Sequence, residues 1–357
     1  MSKIDKITKL SWLESCFPEW GTYLNEEIAK TVVKDKTVSM WWTGCMGLWI
    51  KSDKQTNIAI DLWFGNGKRS QEKLYYEKGH QMRNMSGGIL IQPNLRAQPV
   101  ILDPFSDILI PDLDALLSTH YHGDHIDINL MAAVLKHNKK NIPFIGPKKV
   151  CEKWRDWGVP EDRIVEVKPG SKIVVKDITI YALDAFDRTC LVTQDEYSDI
   201  RGNFVDDMDL KAVNYVIETS AGKLYHAGDS HYSIRFAKHG KDHKIAVSFG
   251  AYGENPPGIA DKLTSVDILR MGEALNTDVI IPLHYDIWSN MMADPKEILV
   301  LYDMRKYRLE YKFRPFIWEV GGKFTYPTDR DKREYHHRRG FEDSFTEDPN
   351  VPYKSIL

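Results

Sequence analysis

The sequence predicts an α/β protein built of two packed, mixed β-sheets with helices on the outside. Through the middle of the chain, strand candidates outnumber helical ones. They come in runs, not in the strict β-α alternation of a doubly wound parallel sheet. The chain is 357 residues long, 42% hydrophobic and 28% charged. That is enough apolar material for a core burying about 75% of the unfolded surface.

Taken in order, Trp12 to Ile28 reads as a short helix or two. Val38 to Ile50, rich in Trp, Val, Ile and Thr with Gly44 and Gly47 inside, reads as strands around a tight turn. Asn57 to Trp63 is a buried strand interrupted by an acid, Asp61. Residues 64–98 are polar and Gly-containing and read as an insertion, because loops beyond about 12–15 residues are uncommon and usually functional. Val100 to Leu102 and Leu113 to Thr119 are strands, and Ile126 to Lys136 has helical apolar spacing. Strands follow at Ile142–Ile145, Ile164–Val167, Ile173–Val175, Ile178–Leu183, Ala212–Ile217 and Lys223–His226, with a helix at Lys148–Trp157 closed by Gly158. Ile245–Phe249 and Asp278–Pro282 are buried strands. Ser265–Leu275 is a helix capped by Ser265, and Asp294–Lys306 a helix with Pro295 in its first turn. Residues 329–357 read as a charged, extended arm. The expectation is one domain over 1–357.

Lys and Arg number 48 against 51 Asp and Glu, a net charge of −3. This counts against a protein that grips nucleic-acid phosphates. No apolar run approaches the roughly 18–20 residues that span a bilayer. The start, Met1-Ser2-Lys3-Ile4-Asp5-Lys6, has no apolar leader core. Cys16, Cys45, Cys151 and Cys190 are far apart without a C-x-x-C pair, so they read as reduced thiols in a cytoplasmic protein, each a small buried hydrophobe.

The segment that carries chemistry is Ser118-Thr119-His120-Tyr121-His122-Gly123-Asp124-His125. It places four potential metal ligands in six residues at the end of an apolar strand. His120 and His122, at i and i+2, project to one side of an extended chain. Gly123 allows a turn, and Asp124 and His125 then stand at the start of the next helix. Such a corner can aim two imidazoles at one ion and a carboxylate with an imidazole at a second. These are ligands of Zn²⁺, Mn²⁺ and Fe²⁺.

This H-x-H-x-D-H run resembles the signature of the metallo-β-lactamase superfamily. The resemblance implies an αβ/βα four-layer sandwich with metal between the sheet edges. It also implies further site residues in chain order: Asp61 supporting the site (Asp103 being its competitor), Asp229 in Gly228-Asp229-Ser230, and His284 after Ile280-Ile281-Pro282-Leu283. One element departs from the pattern. A third His is expected after a strand beyond the first motif, and no His lies between His137 and His226. Asp187, or else Asp184, would stand in. A hard anionic oxygen in place of a neutral nitrogen shifts preference from Zn²⁺ toward Mn²⁺.

A closer resemblance covers almost the whole chain. Phe17-Pro18-Glu19-Trp20-Gly21, Ala185-Phe186-Asp187-Arg188-Thr189, Gly228-Asp229-Ser230-His231-Tyr232, Ala251-Tyr252-Gly253-Glu254-Asn255-Pro256, His284-Tyr285-Asp286-Ile287-Trp288 and Val320-Gly321-Gly322-Lys323-Phe324 resemble the L-ascorbate-6-phosphate lactonase family. That implies an Mn²⁺-dependent hydrolase (Zn²⁺ as alternative metal) opening a small phosphorylated lactone to 3-keto-L-gulonate 6-phosphate by metal-activated hydroxide. The implied metal ligands are His120, His122, Asp124, His125, Asp187, Asp229 and His284. Asp124 and His231 take the catalytic roles, with His231 orienting or delivering a proton. Arg188, Asn255 and Lys262 are candidates for the substrate and its phosphate, with Arg96 and Tyr252 beside them. No nucleic-acid or membrane partner is expected. A homo-oligomer is, because the N-terminal segment, insertion and arm exceed one such core. The competing function is a phosphodiesterase or ribonuclease on the same fold. His226 reads as structural. His137, His239, His243, His336 and His337 read as surface residues, and Trp41, Trp42 and Trp49 as core or interface.

Overall fold

A computed structural model describes residues 2–16, 18–65, 99–192, 208–255, 261–285, 287–288 and 291–337. Two seven-stranded sheets pack through one continuous apolar cluster. The first is built from β1 (Val38–Gly44), β2 (Gly47–Ser52), β3 (Asn57–Ile60), β4 (Leu113–Leu117), β5 (Phe144–Gly146), β6 (Ile164–Glu166) and the late β14 (Lys323–Tyr326). Its order is β14-β1-β2-β3-β4-β5-β6, antiparallel from β14 to β3 and parallel from β3 to β6. The second comprises β7 (Lys172–Val175), β8 (Ile178–Asp184), β9 (Val213–Thr219), β10 (Gly222–His226), β11 (Ile245–Ala251), β12 (Val279–Leu283) and β13 (Arg314–Pro315). Its order is β13-β12-β11-β10-β9-β8-β7, parallel across β10 to β13 and antiparallel elsewhere. The expected pair of mixed sheets is therefore what the chain forms.

Burial follows position. β1 to β5, β11 and β12 are buried at every residue, as strands covered on both faces must be. Edge strand β7 and its neighbour β8 alternate, with one face toward solvent. Trp41, Trp42 and Trp49 are fully buried core.

Several elements differ from the sequence expectation, each for a local reason. Val100 makes only an isolated bridge, to Pro18, so no strand forms at 100–102. The helix after the His-rich corner starts at Ile128 with Asp127 as its cap, the carboxylate accepting from Asn129 N–H. Asp124 and His125 thus lie in a turn ahead of the helix, closed by His125 N–H to the His122 carbonyl at 3.0 Å. Thr264, not Ser265, caps the helix Ser265–Leu275, in a reciprocal capping box with Asp267. Pro295 is itself the cap of the helix Lys296–Arg305. His239 is buried, its Nδ1 2.8 Å from the Tyr225 hydroxyl, and not on the surface. The start of the arm returns to the body: Glu334 bridges to Ile317, and His337 Nε2 lies 2.8 Å from the Val320 carbonyl. Residues 66–98, with Arg96, and 338–357 lie outside the described residues.

What matters for the site is that β3, β4, β8, β10 and β12 all deliver their following residues to one end of the sandwich. The two sheets are tied there by the His120–Ala212 bridge and by Val213 N–H to the Thr119 carbonyl at 3.0 Å. Ligands of open parallel sheets gather at such carboxyl ends.

Candidate metal centre

Asp61 leaves β3 in a left-handed conformation (φ 51°) and is wholly buried. The bend turns its carboxylate onto the end of β4. Its Oδ1 accepts from Thr119 N–H at 2.7 Å, and its Oδ2 accepts from the Thr119 hydroxyl at 2.6 Å. His125 Nδ1 stands 3.0 Å from the same Oδ2. An ionised carboxylate only accepts, so His125 carries a proton on Nδ1 and turns its Nε2 edge toward Asp229 and Asp124. The Thr119 hydroxyl has given its proton to Asp61, so it must accept from His120 Nδ1, 3.0 Å away. His120 therefore presents a bare Nε2. These tautomers are assigned from the hydrogen-bond network. Outer partners of this kind orient metal-binding imidazoles. Gly228 completes the arrangement: at φ 50° its absent Cβ would sit 2.8 Å from Thr119 Oγ1. Only glycine lets the Asp229 turn approach. Asp103, by contrast, is joined to Asn25 and Lys9, well inside the N-terminal packing.

Around these imidazoles the candidate donors fall into three overlapping groups: Cys45, Asp124, His125 and His284; His120, His122, Asp187 and Cys190; and His120, His125 and Asp229. His120 Nε2 lies 3.0 Å from His122 Nδ1 and 3.7 Å from Asp187 Oδ2. His125 Nε2 lies 3.3 Å from Asp229 Oδ1 and 3.8 Å from Asp124 Oδ1. His284 Nε2 lies 3.5 Å from Asp124 Oδ2 and 3.7 Å from Asp229 Oδ2. Donors sharing one ion with bonds of 2.0–2.3 Å stand roughly 3–3.7 Å apart, and nearly all of these separations fall in that range. Asp187 Oδ2, Asp229 Oδ1 and both ring nitrogens of His284 are buried without a hydrogen-bond partner. Buried polar atoms left so are costly, and a cation would satisfy the two carboxylate oxygens and one nitrogen of His284. The residues fit divalent metal.

The electrostatics agree. Burial and then the neighbouring His120 push His122 down to about 3, leaving it a neutral donor. Burial alone would raise Asp229, but Lys262 first and the imidazoles after it hold it well below the usual carboxylate range. Burial would lower His125, yet the anionic groups around it, Asp229 foremost, raise it well above its ordinary value. The same field of ionised carboxylates favours a divalent cation.

The remaining sequence candidates are placed as follows. Asp184 pairs with Arg235 at 2.7 Å, away from the donors, whereas Asp187 is among them. Lys262 is buried, its ammonium 2.6 Å from Asp229 Oδ2 and 3.3 Å from Asp261. Asn255 accepts from the N–H groups of Asp261 and Lys262, both at 2.8 Å, and donates to the Lys262 carbonyl at 2.9 Å, so it holds the loop that carries the ammonium. Tyr252 stands 3.0 Å from the Ser265 hydroxyl. His231 is half-buried, with Nδ1 3.4 Å from Arg188 N–H, and the Arg188 side chain is exposed at the rim beside Asp187. His226 is structural, its Nε2 donating to the Met46 carbonyl at 2.8 Å while Nδ1 accepts from Gly228 N–H. Sequence reasoning missed three residues at the centre. Thr119 sets the His120 tautomer. Trp288 donates from its indole to Asp124 Oδ2 at 2.9 Å, and Cys45 places its Sγ 3.6 Å from that same oxygen. The last two come from segments remote in sequence, and no spacing rule links them to the motif.

Residues 32–285 match the family model described as Beta-lactamase superfamily domain. The chain is 55% identical over 357 residues, with all of both chains covered, to "Probable L-ascorbate-6-phosphate lactonase UlaG" of Salmonella heidelberg (strain SL476). It is likewise 55% identical, with full coverage, to the protein of that name in Escherichia coli (strain SMS-3-5 / SECEC). Among solved structures, isothiocyanate hydrolase from Delia radicum gut bacteria superposes with a TM-score of 0.54 at 18% identity, over 80% of this chain and 98% of that one. At that identity the likeness shows the fold alone.

Proposed function

The chain belongs to the β-lactamase superfamily, and on that premise we propose that this metal-dependent hydrolase is a lactonase that opens L-ascorbate 6-phosphate to 3-keto-L-gulonate 6-phosphate. The observation that carries the metal-dependent part is the convergence of His120, His122, Asp187, Asp229, Asp124, His125 and His284, several with buried orphan atoms, at one end of the sandwich. The substrate follows from the full-length likeness to the named lactonases. His120, His122, Asp187 and Asp229 would hold one ion, and Asp124, His125, His284 and Asp229 a second. A divalent ion there supplies a lowered water pKa, to about 7, and a Lewis acid for the carbonyl. The carboxylate-rich donor set favours Mn²⁺ over Zn²⁺.

The chain's own groups supply the rest. Asp124, one oxygen held by the Trp288 indole, orients the attacking water and takes its proton. His231, its Nδ1 engaged by Arg188 N–H, delivers a proton from Nε2 to the ring alkoxide as the C–O bond breaks. Arg188 at the rim meets the phosphate. Asn255 and Lys262 keep Asp229 in place and ionised. The reading includes a homo-oligomer in the cytoplasm, where cysteine thiols would stay reduced. Among the described residues no helix is long and apolar enough to cross a membrane.

The test is turnover of the lactone phosphate by Mn²⁺-loaded protein, followed as loss of the enediol-lactone absorbance and release of acid. Asp229→Ala serves as control and an RNA substrate runs in parallel. Hydrolysis lost in the control supports the proposal. A folded, metal-loaded protein that leaves the lactone intact, or cleaves RNA instead, refutes it.

A further inference from the structure

A side chain outside the sequence motif stands among the donors around Asp124, His125 and His284. Cys45 sits between Gly44 and Gly47 at the tip of the β1–β2 hairpin and is buried. Its carbonyl accepts from His284 N–H at 3.1 Å and from the Trp42 indole at 2.9 Å, so the hairpin tip and the His284 backbone are tied together. Its Sγ faces inward, 3.6 Å from Asp124 Oδ2 and 3.7 Å from His125 Nε2. Bonds of about 2.3 Å to sulfur and 2.0–2.1 Å to nitrogen, at a tetrahedral angle, put two such donors roughly 3.5 Å apart. Cys45, Asp124, His125 and His284 offer ligand atoms that all lie within 4.8 Å of one another. Independently, the buried His284, one of this group, makes no hydrogen bond from either ring nitrogen. Trp63, Ile287, Trp288 and Met291 pack around Cys45 as a separate apolar cluster that walls this side.

We infer that Cys45 is a ligand of the second ion position, giving it a thiolate beside its imidazoles and carboxylate. This rests on the metal-dependent reading above and goes beyond it. On binding, the S–H bond breaks, a metal–sulfur bond forms, and the proton leaves to solvent. The second position then combines imidazole, carboxylate and soft sulfur, and selects Zn²⁺, Co²⁺ or Fe²⁺. Cys190 stands with His120, His122 and Asp187 in the same way, its backbone N–H bonded to Asp187 at 3.1 Å, so Cys190→Ser is the variant that separates the two thiols.

The experiment is stepwise Co²⁺ loading of the full chain, read by near-ultraviolet absorption for sulfur-to-cobalt charge transfer, with Zn²⁺ and Mn²⁺ dissociation constants measured alongside. The expected result is a charge-transfer band that is abolished in Cys45→Ser and Cys45→Ala and retained in Cys190→Ser. Zn²⁺ affinity at one position should fall about 10–100-fold in Cys45→Ser while Mn²⁺ affinity at the other changes less than about threefold. Circular dichroism confirms folding of each variant. Bound Co²⁺ without the band, or a band that survives in folded Cys45→Ala, overturns the inference. Lactone turnover is scored separately, so a protein that hydrolyses the lactone without the band loses Cys45 as a ligand and keeps the proposed activity.

Discussion

Replacing Asp61 by Asn removes a charge without changing shape, and the network around it dictates the consequence. The three groups bonded to Asp61 are Thr119 N–H, the Thr119 hydroxyl and His125 Nδ1. Only the backbone N–H cannot exchange donor for acceptor, so the new amide must keep its oxygen there and turn its NH₂ toward the other two. His125 Nδ1 then has to accept, which moves its proton to Nε2. The Thr119 hydroxyl has to accept as well, which frees its own proton for His120 Nδ1 and sends that ring's proton to Nε2. One substitution thereby protonates the ligand atom of an imidazole at each ion position. Loss of an outer partner costs 10–100-fold in metal affinity, about 1.4–2.7 kcal/mol at 1.36 kcal/mol per decade. The expectation for Asp61→Asn is a weakening in that range at both positions. Isothermal titration with Mn²⁺ and Zn²⁺ reads the affinity, and ¹⁵N shifts of the His rings read the tautomers. Asp61→Ala, which imposes no wrong tautomer, should be hurt less. Folded Asp61→Asn that binds both metals within twofold of the parent, with unprotonated Nε2 on His120 and His125, would refute the tautomer argument.

Lys262→Met strips the ammonium from the buried Asp229 and Asp261. The metal-free protein should lose about 3–5 kcal/mol, and metal should restore more Tm in the variant than in the parent, as differential scanning calorimetry would show. His239 is held down to about 4 chiefly by burial, so the folded state keeps it neutral while the unfolded chain protonates near its ordinary 6.5. The unfolded state therefore binds the extra proton between about pH 6.5 and 4. Stability falls as pH drops through that window and this contribution is level above it. The Tm difference between parent and His239→Gln should change across that window, and parallel curves would contradict it. Gly240 lies in the helix Phe236–His243 against the end of the helix Ser265–Leu275, where an added Cβ would stand 2.6 Å from Leu275 Cα and collide with its carbonyl oxygen. Gly240→Ala should cost about 1–3 kcal/mol in urea unfolding, with metal affinity unchanged.

Much of the site was legible from residue order because its elements are local. His120, His122, Asp124 and His125 occupy one strand-to-turn corner, where backbone geometry alone aims the side chains. Asp229 and His284 each follow a short apolar strand, so their place at a strand's carboxyl end could be read from the run before them. The helix boundaries were less legible. Ser265 and Thr264 are both capping residue types, and only the reciprocal bond with Asp267 decides between them. The burial of His239 was hidden because its neighbours in sequence are polar, while its neighbours in space, Tyr225 and Phe186, come from other elements.

By itself the sequence determined the donor types, their order along the chain and the two mixed sheets, since apolar runs, turns and ligand chemistry are properties of short segments. Only the tertiary structure decided that Asp187 and not Asp184 joins the donors, that Asp61 and not Asp103 orients the imidazoles, and that Cys45 and Trp288 stand against Asp124. Those choices depend on which strand ends meet when the sheets pack, and proximity of that kind is set by burial of the whole core and not by any one stretch of it.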